Sequence, residues 1–72
     1  MKQYTLFVGE NCHQCEDISN FLKINNISYR EINVDLTDEK PPIQLFAFPA
    51  LFKGQILLRY GSDIKKYFKN KS

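Results

Sequence analysis

Tryptophan is absent from these 72 residues, glycine and proline are limited to three each, cysteine to two and histidine to one. Each scarcity excludes something. Two cysteines and one histidine cannot complete a tetrahedral Cys/His zinc site within a single chain, which needs four ligands. Two cysteines only three positions apart cannot staple distant segments of a small secreted scaffold. No apolar run approaches the roughly 20 residues that cross a bilayer. The segment from Met1 to Gly9 lacks the longer apolar region and small-residue cleavage site of a signal peptide. Neither sign of charge dominates. Ten Lys plus Arg against eight Asp plus Glu leave a formal +2, too little to point to nucleic acid. With no repeat, linker or low-complexity tract, residues 1–72 read as one domain. The expectation is a cytoplasmic monomer that binds neither nucleic acid nor membrane.

What is present suffices for a small core. The chain is 43% hydrophobic and 14% aromatic, with six Phe and four Tyr to supply interior volume. Tyr4 to Val8 is a β-prone run closed by Gly9 and reads as a buried strand. From about Asn11 to Ile24 the pattern becomes helical, with Cys15, Ile18 and Leu22 on one face and Phe21 beside it. Asn11 suits the cap of that helix, and Glu16 and Asp17 suit its early turns, where the helix dipole favours acids. Asn25-Asn26 marks its end. Ser28 to Asp35 reads as a second strand, with Ile27, Tyr29, Ile32 and Val34 punctuating a polar background.

Between Leu36 and Phe48 the pattern weakens. Thr37-Asp38-Glu39 before Pro41-Pro42 suits a helix start, but only Ile43 to Ala47 remain to continue it. That element is expected to be short or irregular. After Pro49, two apolar runs flank Lys53-Gly54, which predicts a hairpin with those residues in its turn. Gly61 breaks the run, Ser62 or Asp63 can cap a last helix, and Ile64, Tyr67 and Phe68 form its apolar stripe. Lys65, Lys66, Lys69 and Lys71 read as its solvated face, complementing the C-terminal dipole. The predicted class is α/β, a mixed four-stranded sheet flanked by helices.

The chemistry-bearing motif is Cys12-His13-Gln14-Cys15, placed where a strand hands over to a helix. Backbone N–H groups at a helix N-terminus stabilise a negative sulfur, and the thiolate is the nucleophile of disulfide exchange. Positions i and i+3 share a helix face at about 5–6 Å, close to the separation a disulfide requires. Cys12, at the tip, is expected to attack, and Cys15, one turn inside, to resolve. A Cys-x-x-Cys pair also occurs as half of a metal site. The alternative is therefore a module in which two chains share zinc or an iron–sulfur cluster through these cysteines. His13 can stabilise the Cys12 thiolate when protonated or stand as a surface residue.

Three features in order make the whole chain resemble the glutaredoxin branch of thioredoxin-like proteins, including the glutaredoxin-like redoxins that serve ribonucleotide reductase. They are the strand-Cys12-His13-Gln14-Cys15-helix unit, the segment Phe48-Pro49-Ala50-Leu51-Phe52-Lys53-Gly54-Gln55, and Gly61-Ser62-Asp63-Ile64 at the last helix. The resemblance implies a thioredoxin-like fold, a redox-active Cys12/Cys15 pair and a cis peptide bond before Pro49. It also implies a substrate-binding set of His13, Gln14, Phe48, Pro49, Ser62 and Asp63. In it, Phe48 meets a peptide backbone, while Ser62 and Asp63 meet the glutamyl end of glutathione. No cofactor is required, and the implied substrates are disulfide-containing proteins or glutathione mixed disulfides. The family's cation before the first cysteine has no counterpart in Val8-Gly9-Glu10, and Ala47-Phe48 replaces its usual residues before the proline. These departures leave glutathione and a thioredoxin-reductase-type flavoenzyme both open as the reductant.

Overall fold

A computed structural model describes residues 3–71; Met1, Lys2, Ser72 and the side chain of Lys71 lie outside the described residues. The elements run β1 (Tyr4–Val8), α1 (His13–Ile24), β2 (Tyr29–Asn33), β3 (Ala50–Lys53), β4 (Ile56–Tyr60) and α2 (Asp63–Lys71). They build one four-stranded sheet in the order β2-β1-β3-β4. β1 pairs in parallel with β2, Val8 opposite Asn33, and antiparallel with β3, Phe7 opposite Ala50. β3 pairs antiparallel with β4. The C-terminal ends of β1 and β2 and the start of β3 therefore share one edge, where α1 also begins.

Strand alternation divides the core into two faces. Leu6, Val8 and Leu51 point to the face covered by the helices, meeting Cys15, Ile18 and Leu22 of α1 and Ile64 of α2. Tyr4 and Phe68 close this layer with ring centroids 5.2 Å apart, edge to face. Phe7, Ile32, Ala50 and Phe52 fill the opposite face. Among the described residues, nothing helical covers that second face. Residues 34–49 cross it as turns and bends, packing Val34, Leu45 and Phe48 down and leaving Leu36, Ile43 and Phe46 exposed. Pro41-Pro42 removes two backbone donors, and the five residues after it are too few to sustain a helix without them. The expected short element is irregular throughout.

Three local assignments differ from the sequence expectation. The second strand spans Tyr29–Asn33 and not Ser28 to Asp35: Val34 and Asp35 turn away, with the Asp35 N–H donating to the Asn33 side-chain oxygen at 2.9 Å. Asn11 does not cap α1: it takes a φ of 52°, and Cys12 occupies the N-cap position instead. Asparagine tolerates left-handed backbone better than most residues, so it serves as the turn that precedes the cap. In the hairpin, Lys53 remains in β3 opposite Ile56, and the turn is Gly54-Gln55. Gly54 carries the positive φ of 64° that this turn requires, which sets the register one residue later.

Phe52 is fully buried and stacks edge-on against Phe7 at 5.2 Å. Phe52→Ala is expected to cost about 3–5 kcal/mol, a large share of the stability of a domain this small. Ile24→Ala, at a position 79% exposed, should stay within about 0.5 kcal/mol. Urea unfolding of the two variants checks the contrast.

Candidate active site

Cys12 and Cys15 form a disulfide with their Cα atoms 5.2 Å apart. The arrangement follows from the start of α1. Cys12 has extended backbone, and its Sγ accepts a hydrogen bond from the Cys15 backbone N–H at 3.0 Å. Its carbonyl accepts the Glu16 N–H at 3.2 Å, opening the helical ladder. A helix start leaves several N–H groups without helical partners, and here one is met by sulfur. Cys15 is 4% exposed within the helix-side core, whereas Cys12 is half-buried at its rim. His13 and Gln14, between them, are both exposed.

The loop leading into Cys12 is held from β2 and the turn after it. The Glu10 N–H donates to the Asp35 carboxylate at 2.8 Å, and the Asn33 amide donates to the Glu10 carboxylate at 3.4 Å. Gly9 lies under this clasp, where a Cβ would come within 3.3 Å of the Asp35 carboxylate and 3.7 Å of the Phe48 ring.

On one flank of the disulfide the three segments that carry the family resemblance converge. The Phe48–Pro49 bond is cis, Pro49 is buried, and Phe48 is half-buried against the core cluster that includes Cys15. The Pro49 carbonyl accepts the Gly61 N–H at 2.8 Å. Gly61 in turn abuts Gln14, since a Cβ there would lie 3.0 Å from the Gln14 amide nitrogen. Ser62 and Asp63 follow at the exposed start of α2, where the Asp63 carboxylate faces the Lys66 ammonium at 3.8 Å. Gln14, Pro49 and Gly61 are thus joined in one chain of contacts, with Phe48, Ser62 and Asp63 as their sequence neighbours. His13 is not drawn into that chain and stands exposed beside it.

The other flank opens into a cleft of about 410 Å³ that sequence reasoning did not find. Cys12, Cys15 and Ser19 of the α1 region form one wall, and Glu31 and Asn33 of β2 the other. Glu10, Glu16 and Lys23 also line it. Ser19 is buried and donates to the Glu31 carboxylate at 2.8 Å. A carboxylate can only accept, so the hydroxyl of Tyr29, 2.5 Å from Ser19 Oγ, supplies the other hydrogen. The signal in the sequence was the alternation Tyr29, Glu31, Asn33, one polar face of β2, but only the topology turns that face towards α1. Among the described residues, no three His, Cys, Asp or Glu side chains gather as metal ligands would.

No protein-family model matches the chain, and no curated protein matches it in sequence. Solved structures do match in shape. The thioredoxin-like protein BC3987 superposes with a TM-score of 0.70 at 19% identity, covering 93% of this chain and 97% of its own. A threonine-to-alanine mutant of that protein gives 0.71 at 18% identity, covering 97% and 100%. The chain therefore has the thioredoxin-like fold, with a Cys-x-x-Cys disulfide at the start of its first helix.

Gly61, at a φ of 52°, is the joint between Pro49 and Gln14. Gly61→Ala is expected to destabilise by about 1–2 kcal/mol from left-handed backbone alone. The added methyl should also displace the Gln14 amide, which a shift of the Gln14 side-chain NMR resonances would report.

Proposed function

We propose that this protein is a thiol–disulfide oxidoreductase in which Cys12 attacks and Cys15 resolves. The observation that carries the proposal is the unequal setting of the two sulfurs. Cys12 stands half-buried at the N-cap, accepting the Cys15 N–H, while Cys15, 4% exposed, packs behind it in the core. In the reduced protein the same N–H and the dipole of α1 stabilise a thiolate on Cys12.

The thiolate attacks one sulfur of a substrate disulfide. A mixed disulfide forms on Cys12, and the first substrate thiol leaves with the electron pair of the broken bond. Cys15, one helical turn away, then attacks Cys12 Sγ, closing the internal disulfide and releasing the second thiol. Two electrons pass to the substrate, and the two protons of the dithiol end on the departing thiols. The step needs no metal or organic cofactor, and each chain carries its complete dithiol pair and acts as a monomer.

The glutaredoxin-like reading is the finer part of this proposal. Phe48 and Pro49 would receive the extended backbone of a protein substrate, flanked by His13 and Gln14. Ser62 and Asp63 would receive the glutamyl end of glutathione, because a helix N-terminus suits a carboxylate and Asp63 suits an ammonium. Glu10 stands where the resembled family carries a cation, so glutathione is held weakly. Reduction in the cytoplasm then falls to glutathione or to a thioredoxin-reductase-type flavoenzyme, and a coupled assay with each system decides between them.

Cys12→Ser is expected to abolish disulfide reduction, and Cys15→Ser to accumulate a mixed disulfide on Cys12. Intact-mass analysis after incubation with a disulfide substrate reads both outcomes. A mixed disulfide on Cys15 in Cys12→Ser, with none in Cys15→Ser, would reverse the assignment.

A further inference from the structure

The cleft beside the disulfide carries a charge opposite to that of the chain. Its lining includes three carboxylates, Glu10, Glu16 and Glu31, and one ammonium, Lys23, a formal −2 in a protein of formal +2. The reacting sulfurs make this a site; the acids decide what charge it admits. Two of the three carboxylates are fixed in place. Glu10 Oε1 accepts the Asn33 amide, and Glu31 Oε1 accepts the hydroxyl of buried Ser19. Glu16 lies one turn along α1 from Cys12, its N–H bonded to the Cys12 carbonyl.

Distance decides which charges an incoming group meets. Glu10 is two residues from Cys12, and Glu31 is anchored to Ser19, one turn or about 6 Å along α1 from Cys15. Lys23 lies eight residues from Cys15, about 12 Å along the axis. The Debye length is about 8 Å at physiological ionic strength, so a group at the sulfurs meets the acids more strongly than Lys23. A cleft in which one sign of charge is in excess also raises the local concentration of groups of the opposite sign.

We infer that the cleft selects disulfides flanked by positive charge, with Glu10, Glu16 and Glu31 setting the preference. The inference rests on the redox reading above and adds the substrate class, a half-cystine with Lys- or Arg-like cations beside it. Cystamine is the small-molecule probe of that class. The reduced protein's Cys12 thiolate attacks cystamine and releases one cysteamine. Cys15 then displaces the second, so two electrons and both dithiol protons leave with the two thiols.

The test measures the oxidation rate constant of the reduced protein with cystamine, with neutral bis(2-hydroxyethyl) disulfide and with anionic 2,2′-dithiodiacetate. Each value is divided by the same disulfide's rate with dithiothreitol under the same conditions, which removes intrinsic reactivity. The normalised ratio of cystamine to dithiodiacetate is expected to be about tenfold or more at low ionic strength. It should fall towards unity in about 0.5 M salt. Replacing Glu10, Glu16 and Glu31 by Gln should bring the low-salt ratio towards unity, and Glu10→Lys alone should lower it. A ratio below about threefold for the wild type at low salt overturns the inference while leaving the redox reading intact. Failure of the neutral disulfide to oxidise the protein overturns the redox reading, and the inference with it.

Discussion

The Sγ of Cys12 stands where a helix start ordinarily recruits a side-chain oxygen. It accepts the Cys15 N–H at 3.0 Å, and on the redox reading proposed above this is the contact that favours an anion on that sulfur once the pair is reduced. Everything around it keeps that sulfur at the N-cap. Asn11 turns the chain through left-handed backbone, Asp35 grips the Glu10 N–H, and Cys15 is locked among Leu6, Val8, Ile18 and Leu22. If α1 began one residue earlier, Cys12 would enter the helix, its sulfur would no longer cap it, and the two cysteines would lose their inequality.

The sheet serves this position by bringing three chain ends to one edge. Parallel pairing of β1 with β2 sets Asn33 and Asp35 beside the loop before Cys12. Antiparallel pairing with β3 sets Pro49 at the same edge, and the Pro49–Gly61 hydrogen bond brings the start of α2 to Gln14. The disulfide is therefore flanked on one side by the proline turn and on the other by the acidic cleft. On the proposed reading, the first flank receives substrate backbone, which accepts many sequences, and the second discriminates among them by charge. The cost of a small scaffold falls on the opposite face, where an irregular segment leaves Phe46 87% exposed.

Much of this was legible in the residues. β1 is a β-prone run closed by Gly9, α1 and α2 carry apolar stripes of helical spacing, and the Cys pair falls at a strand-to-helix junction that few other segments of the chain could form. The misplacements were local. Asparagine is a favoured N-cap, so Asn11 drew the assignment, but the tight turn after Gly9 and Glu10 needed its left-handed backbone more. Lys53-Gly54 contains the right glycine, yet glycine had to be first in the turn, which kept Lys53 in the strand. The cleft was illegible for a different reason. Ser19 and Glu31 are twelve residues apart, and neither is unusual locally; only the parallel β1–β2 pairing beneath α1 makes them neighbours.

The central claim is that Cys12, and not Cys15, carries the accessible thiolate. The direct measurement is alkylation of the fully reduced protein by iodoacetamide across pH, with peptide mapping to separate the two sulfurs. Cys12 should react first at every pH, because its sulfur is the more accessible of the two. Cys15 should resist until the protein is unfolded. Equal labelling of the two, or preferential labelling of Cys15, would contradict the account.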